Sequence, residues 1–428
     1  MPLKPVLGPV HLIFYSVGVI IGAGVYSVIG AAAGLAQQGL WLSFVVGAFV
    51  AMLTAFSYAE MTAAFPHAGA EYIYLRRALP KRRFAAFVVG MIILLGGAAT
   101  AATVAVSFGG YLKQFLDVPV VLSAFMLLAA CTLLNVWGLH ESSFANIIFT
   151  SIEVGGLLLV IAAGFTHGDV AAPLLAPVHS GIMPAAAIIF FVYLGFEEIA
   201  NMAEEVRNPA RDLPRAIFAS LAITTLLYVL VSLSFVTLAS PDELAASEAP
   251  LAHAIQKAWP GASGMLSAIA LFATANTVLI SLIATSRLAF SMGRDGEIPL
   301  IFGSVLPNRG TPWIAALLIF LICAALLPIG DLKILAELSS FSALLAFLAV
   351  NAALIILRYR MPQHRRPFRV PLNVGRMPML PIAAIGSIGF LLAYFDWKIY
   401  AIGAVVLAVL SLAYFLRPGA APRAPKKD

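Results

Sequence analysis

An all-α integral membrane protein of about twelve transmembrane helices is the fold predicted by this 428-residue chain, on three observations. Hydrophobic residues make up 61% of it against 11% charged, and the mean hydropathy is +0.98, far from the balance of a water-soluble globular chain. The apolar residues gather into about twelve segments of roughly 17 to 25 residues, each long enough to cross a hydrocarbon core of about 30 Å. Lysine and arginine fall between these segments or near their ends in a strongly alternating pattern.

The first segment, 10–33, contains VGVIIGAGVYSVIG, where Gly18, Gly22, Gly24 and Gly30 interrupt a stretch that must satisfy its own backbone in lipid. It exceeds a signal-peptide core of about 7 to 15 residues and is followed at once by the second, 40–65, so it is read as retained. Pro66 and Gly69 end that second segment, and the basic loop RRALPKRRF leads to the third, 84–112. The fourth, 118–138, is short and apolar, and the fifth, 143–165, carries an isolated carboxylate, Glu153. The sixth, 182–204, reads IIFFVYLGFEEIANMAEEV, with Gly195 near its middle followed by Glu197 and Glu198. Asn208-Pro209 should break the helix there, and Pro214 suits the first turn of the seventh, 214–239. The eighth to tenth cover 262–290, 312–328 and 334–357, and 377–395 and 398–416 close the set.

Positively charged short loops stay on the cytoplasmic side. With the N-terminus inside, 22 of the 26 basic residues lie in inside loops, from Lys4 through the Arg358–Arg376 loop to the Arg417–Lys427 tail; outside are Lys113, Lys257, Lys333 and Lys398. This predicts both termini in the cytoplasm and the plasma membrane as the location. It also accounts for the net charge of +6 as topology and anionic-lipid contact, with no nucleic-acid partner. Cys131 and Cys323 lie within apolar segments, giving neither a disulfide framework nor metal-ligand spacing. No GxSxG, HExxH or Walker A sequence is present, and GAGVYSVIG has its third glycine too late for a dinucleotide fingerprint. No enzyme, cofactor or metal is therefore expected.

The informative residues are helix-breaking or charged ones in the middle of segments. Gly18 and Gly22 fit small-xxx-small helix packing. Recurrence of a break five spans later, at Gly195, argues for more: interrupted segments at corresponding positions mark transporters built from inverted repeats, whose broken helices expose N–H and C=O groups to a substrate. The repeats would be 10–165 and 182–357, with 377–416 as two peripheral helices. A central acidic residue costs about 2.5 to 3.5 kcal/mol to insert, so adjacent Glu197 and Glu198 require a polar cavity or a helix break.

Four blocks, IIGAGVY, SYAEMTAAFPHAGAEYIYLRRALP, FFVYLGFEEIANMAEEVRNPARDLPRAI and RLAFSMGRDGEIP, in that order along nearly the whole chain, resemble the amino acid, polyamine and organocation (APC) transporter superfamily. The resemblance implies a LeuT-like fold of ten core helices in two inverted five-helix repeats, broken in helices 1 and 6, plus two peripheral helices. It also implies that the amides of Gly22, Ala23 and Gly24 hold a substrate carboxylate, while carbonyls of Ile20, Phe191 and Leu194 hold the amino group. Ala23 stands where serine is common, so one side-chain hydrogen bond is absent. Phe191 occupies the place of an aromatic lid, and Ser281 a position where arginine-transporting relatives can carry tryptophan.

Glu153 lies where proton-coupled relatives can carry a lysine, so that lysine mechanism does not transfer. A desolvated carboxylate has a raised pKa, which makes Glu153 a proton-carrier candidate, with a neutral hydrogen-bonded structural role as the alternative. Glu197 matches a frequent acidic position associated with the sixth helix and the gate; Glu198 either favours a cationic side chain or pairs with a polar neighbour. Gly96 replaces the glutamate of cationic relatives, favouring a neutral substrate. Glu60 is read as an interfacial pair rather than a proton site. The expected function is proton-coupled symport of a neutral L-amino acid by alternating access, with an exchanger or a cationic amino acid transporter as alternatives. Its partners are the amino acid, protons and the bilayer, and no oligomeric state follows from the sequence.

Overall fold

The computed structural model describes residues 8–66, 70–138, 143–307 and 309–415; Lys4, Gly69 and the basic tail from Arg417 to Lys427 lie outside them. The chain forms helices α1 (Pro9–Ile21), α2 (Gly24–Ala36), α3 (Leu40–Ala64), α4 (Ala70–Ala78), α5 (Arg83–Leu112), α6 (Val120–Trp137) and α7 (Ser143–His167). The short α8 (Ala172–Leu175) and α9 (Ile182–Ile189) lead through 3-10 turns at Phe190–Tyr193 and Glu198–Glu205 into α10 (Pro209–Leu238). Next come α11 (Pro241–Ala246), α12 (Pro250–Ala258), α13 (Ser263–Arg294), α14 (Trp313–Leu326) and α15 (Leu332–Arg360). A two-residue hairpin, β1 (Asn373–Val374) with β2 (Met377–Pro378), precedes α16 (Met379–Leu392) and α17 (Trp397–Phe415). The protein is all-α, as its composition predicts.

Each of the twelve expected segments falls on helix, with informative differences. Among the described residues, eight helical stretches are long and apolar enough to cross a membrane, one of them, Gly24–Ala64, containing both α2 and α3. The first and sixth segments are divided into half-length pieces, and the last two form a pair bent by 112° that would count as a ninth span. Helix α10 starts at Pro209, with Asn208 before it, so Pro214 lies inside the helix and not in its first turn. Proline at the first helical position is already set for helix, and this start signal overrides the one at Pro214.

The long helix α5 packs against both α13 and α15, α3 packs along α10, α1 lies against α7 and α10, and α2 against α9. Large apolar side chains such as Phe49, Leu133, Leu226 and Leu321 are more than half exposed on the outer surface, an arrangement suited to lipid. Small residues set the close approaches: a Cβ at Gly18 would stand 2.0 Å from Thr150 Oγ1 on α7, and one at Gly96 2.9 Å from Ser342 Cβ on α15. Gly96 therefore serves helix packing.

Glu60, near the end of α3, is fully buried and is the anchor of an ionic knot. Arg358 Nε donates to its Oε1 at 3.0 Å and a second guanidinium nitrogen to its Oε2, Arg366 Nε lies 3.0 Å from Oε1, and the Val370 amide donates to Oε2 at 2.8 Å. Arg358 also donates to Asn373 Oδ1, so the knot ties α3 and α15 to the loop before α16. Breaking a buried pair leaves an uncompensated charge, so Glu60→Ala should destabilise the detergent-solubilised protein by about 3 to 5 kcal/mol in a denaturant titration. Asp295→Asn, which removes the half-exposed 2.7 Å pair with Arg76, should cost under about 1 kcal/mol in the same titration. Equal effects would contradict the burial argument.

Candidate functional site

The two interruptions meet. Helix α1 closes with the Gly22 amide donating to the Gly18 carbonyl at 2.9 Å; Gly22 then takes φ 24°, a conformation that favours glycine, and α2 starts two residues later. In the second interruption Leu194 is extended and Gly195 has φ 118°. A Cβ on Gly195 would lie 3.0 Å from the Val19 carbonyl oxygen, and one on Gly24 3.1 Å from Val192 Cα, so each break presses its glycine against the backbone of the other.

The polar groups that the breaks release are met by side chains from elsewhere. Tyr228, fully buried on α10, places its hydroxyl 2.8 Å from the Ile20 carbonyl, 3.4 Å from that of Ile21 and 3.2 Å from that of Val192, bridging both breaks. Its ring is held by Phe44 at 5.6 Å and by an edge contact with Tyr193 at 5.6 Å. On α13, Thr277 Oγ1 accepts the Ala23 amide proton at 2.9 Å. The Glu197 carboxylate accepts from the Gly195 amide at 2.9 Å, and the Phe191 carbonyl accepts from the Leu194 amide at 3.3 Å.

The structure thus brings Ile20, Gly22, Ala23, Gly24, Phe191, Leu194 and Gly195 into one place, with Ile20, Gly22, Ala23, Phe191 and Gly195 buried and Gly24 and Leu194 half-buried. Ser281 is half-buried on α13, one turn beyond Thr277, and its side chain makes no hydrogen bond among the described residues. Glu153 is buried on α7 beside the first break: its backbone carbonyl accepts the Tyr26 hydroxyl at 2.7 Å, and the Tyr26 carbonyl in turn accepts the Tyr111 hydroxyl at 3.0 Å. Two surface hollows, one between α6 and α14 lined by Phe125 and Leu327, the other beside His364, contain no residue of either break.

Next to the second break lies a group that sequence reasoning did not single out. Glu71, on α4, accepts the Tyr58 hydroxyl at 2.8 Å and interacts electrostatically with Glu197 and Glu198, while Tyr58 packs edge-on against Phe196. Burial, and then the Glu198 charge, push the Glu71 carboxyl up to about 7.

A family profile described as amino acid permease matches residues 7–419. The chain belongs to the amino acid permease family. The permease is 30% identical to the branched-chain amino acid permease BcaP of Bacillus subtilis, over 97% of this chain and 93% of that one. It is 29% identical to the methylthioribose transporter of the same organism, over 96% and 92%, and 31% identical to the vacuolar cationic amino acid transporter 4 of Arabidopsis thaliana, over 83% and 64%. The permease is a multi-pass membrane transporter.

The raised Glu71 value carries a sign. A carboxyl whose folded pKa exceeds its unfolded value takes up a proton on folding, so its contribution to stability declines as pH rises from about 4.5 through about 7. Glu71→Gln, uncharged throughout, should flatten the fall in melting temperature between pH 5 and pH 8. An unchanged slope would remove Glu71 as a source of that fall.

Proposed function

We propose that the permease is a proton-coupled symporter of a neutral L-amino acid, working by alternating access in the plasma membrane with both termini cytoplasmic. The observation that carries this reading is the contact between two glycine breaks at Gly22–Gly24 and Phe191–Gly195, the arrangement in which backbone ends recognise a small zwitterion. The amide of Gly24, at the positive end of α2, takes the carboxylate beside Ala23, whose own amide is bonded to Thr277, and Gly22, expected to offer its amide as well, has it closed onto the Gly18 carbonyl and supplies the bend. Carbonyls of Ile20, Phe191 and Leu194 take the ammonium; each carbonyl oxygen has two lone pairs, so those already accepting one bond can accept another. The Phe191 ring covers the substrate, and Ser281 lines its side-chain pocket. Segments 10–165 and 182–357 form the inverted repeats and 377–416 the periphery.

Glu153, buried beside the first break, is the proposed proton carrier, with Glu197 and Glu198 next to the second as further coupling groups. The likeness to a branched-chain permease supports a neutral substrate. A cationic substrate is the second reading, favoured by the grouping of Glu198 with Glu71 and Glu197.

Uptake into proteoliposomes by a panel of neutral and cationic amino acids, with methylthioribose included, tests both. Empty vesicles with an inward proton gradient should accumulate a neutral amino acid, and Glu153→Gln should retain binding but lose gradient stimulation. Uptake only into preloaded vesicles would make the protein an exchanger. Equal gradient response in the variant would take Glu153 out of coupling.

A further inference from the structure

Thr277 meets the first break at the point where a substrate carboxylate would bind. Its Oγ1 accepts the Ala23 amide proton at 2.9 Å, and a Cβ built on Gly22 would lie 2.8 Å from the same oxygen, so the hydroxyl is seated on both residues of the break. Two other hydroxyls of α13 donate back to their own helix, Thr274 to the Ala270 and Leu271 carbonyls and Ser286 to that of Ile283, while those of Ser267 and Ser281 make no such bond among the described residues. The Thr277 proton has no such carbonyl among the described residues. Thr277 and Gly24 are both half-buried, within reach of a small solute, whereas Ala23 offers only a methyl group. A hydroxyl that already accepts one hydrogen bond is polarised toward donating another, and a donor to a carboxylate makes a charge-assisted bond.

We infer that Thr277 is a specificity-determining residue whose hydroxyl donates to the substrate carboxylate, supplying from α13 the side-chain donor that the first break lacks at Ala23. The inference rests on the amino acid reading of this site. The carboxylate has two oxygens, so Thr277 and the backbone amide of Gly24 can serve one each. Because a threonine hydroxyl does not titrate near neutral pH, its contribution is to affinity for the carboxylate and leaves the proton-gradient response alone.

The test is equilibrium binding of labelled L-leucine and of L-leucinamide, which lacks the carboxylate, to the purified full-length protein, with uptake into proteoliposomes beside it. Thr277→Val should weaken L-leucine binding about tenfold or more while changing L-leucinamide binding less than about twofold. Thr277→Ser should recover most of the L-leucine affinity, and the ratio of uptake with and without a proton gradient should stay at the wild-type value throughout. Thr277→Cys, which keeps a weak donor and acceptor at the break, should give the same carboxylate-selective loss in smaller measure and serves if the valine variant does not purify as a monodisperse protein. Wild-type affinity for L-leucine in the valine and cysteine variants, or equal loss for L-leucine and L-leucinamide, would overturn the inference alone. Failure of the wild type to bind or take up any amino acid would overturn the site reading together with it.

Discussion

A main-chain amide or carbonyl in hydrocarbon must have a partner, and this structure interrupts two helices and brings the interruptions together. The groups released are met by side chains carried on continuous helices: Tyr228 of α10 on the carbonyls of Ile20 and Val192, Thr277 of α13 on the amide of Ala23. With those partners removed, buried polar groups of both breaks would lose their bonds, each at a cost of about 1 to 3 kcal/mol. The breaks are therefore tolerable because α10 and α13 are uninterrupted beside them.

The same bonds connect the site to the rest of the molecule. Tyr228 is fixed by Phe44 and Tyr193, so α3 and the second break share its position. From Tyr26, just past the first break, one hydroxyl-to-carbonyl bond reaches α7 at Glu153, and the Tyr26 carbonyl accepts another from Tyr111 on α5. A substrate that engages Ile20 or Ala23 must compete with or add to bonds already made there, so binding bears directly on the helices that hold them. The Glu60 knot lies apart from this set and joins α3, α15 and the loop before α16, a structural tie with no bond to either break among the described residues.

The positions of the breaks were legible because glycine in a membrane span has a local cost: Gly22 and Gly195 both adopt positive φ, and each is the poorest ordinary helix former in its segment. The long helices were legible from hydropathy alone. Tyr228 and Thr277 were not, because an aromatic and a threonine in apolar helices carry no local signal, and their partners in the first break are more than 200 residues away. Spacing from the RDG motif picked Ser281, one turn from the residue that touches the break; residue counting locates a helix but does not say which turn meets a neighbour. Glu71 escaped notice because it lies outside the apolar segments, where a carboxylate is ordinary until folding brings Glu198 beside it.

The most direct measurement is a cryo-electron microscopy map of the protein bound to the amino acid that it transports. The account predicts substrate density between Gly22–Gly24 and Phe191–Gly195, its carboxylate toward the amide of Gly24 and its ammonium toward the carbonyl of Ile20. Density that touches neither break would contradict it.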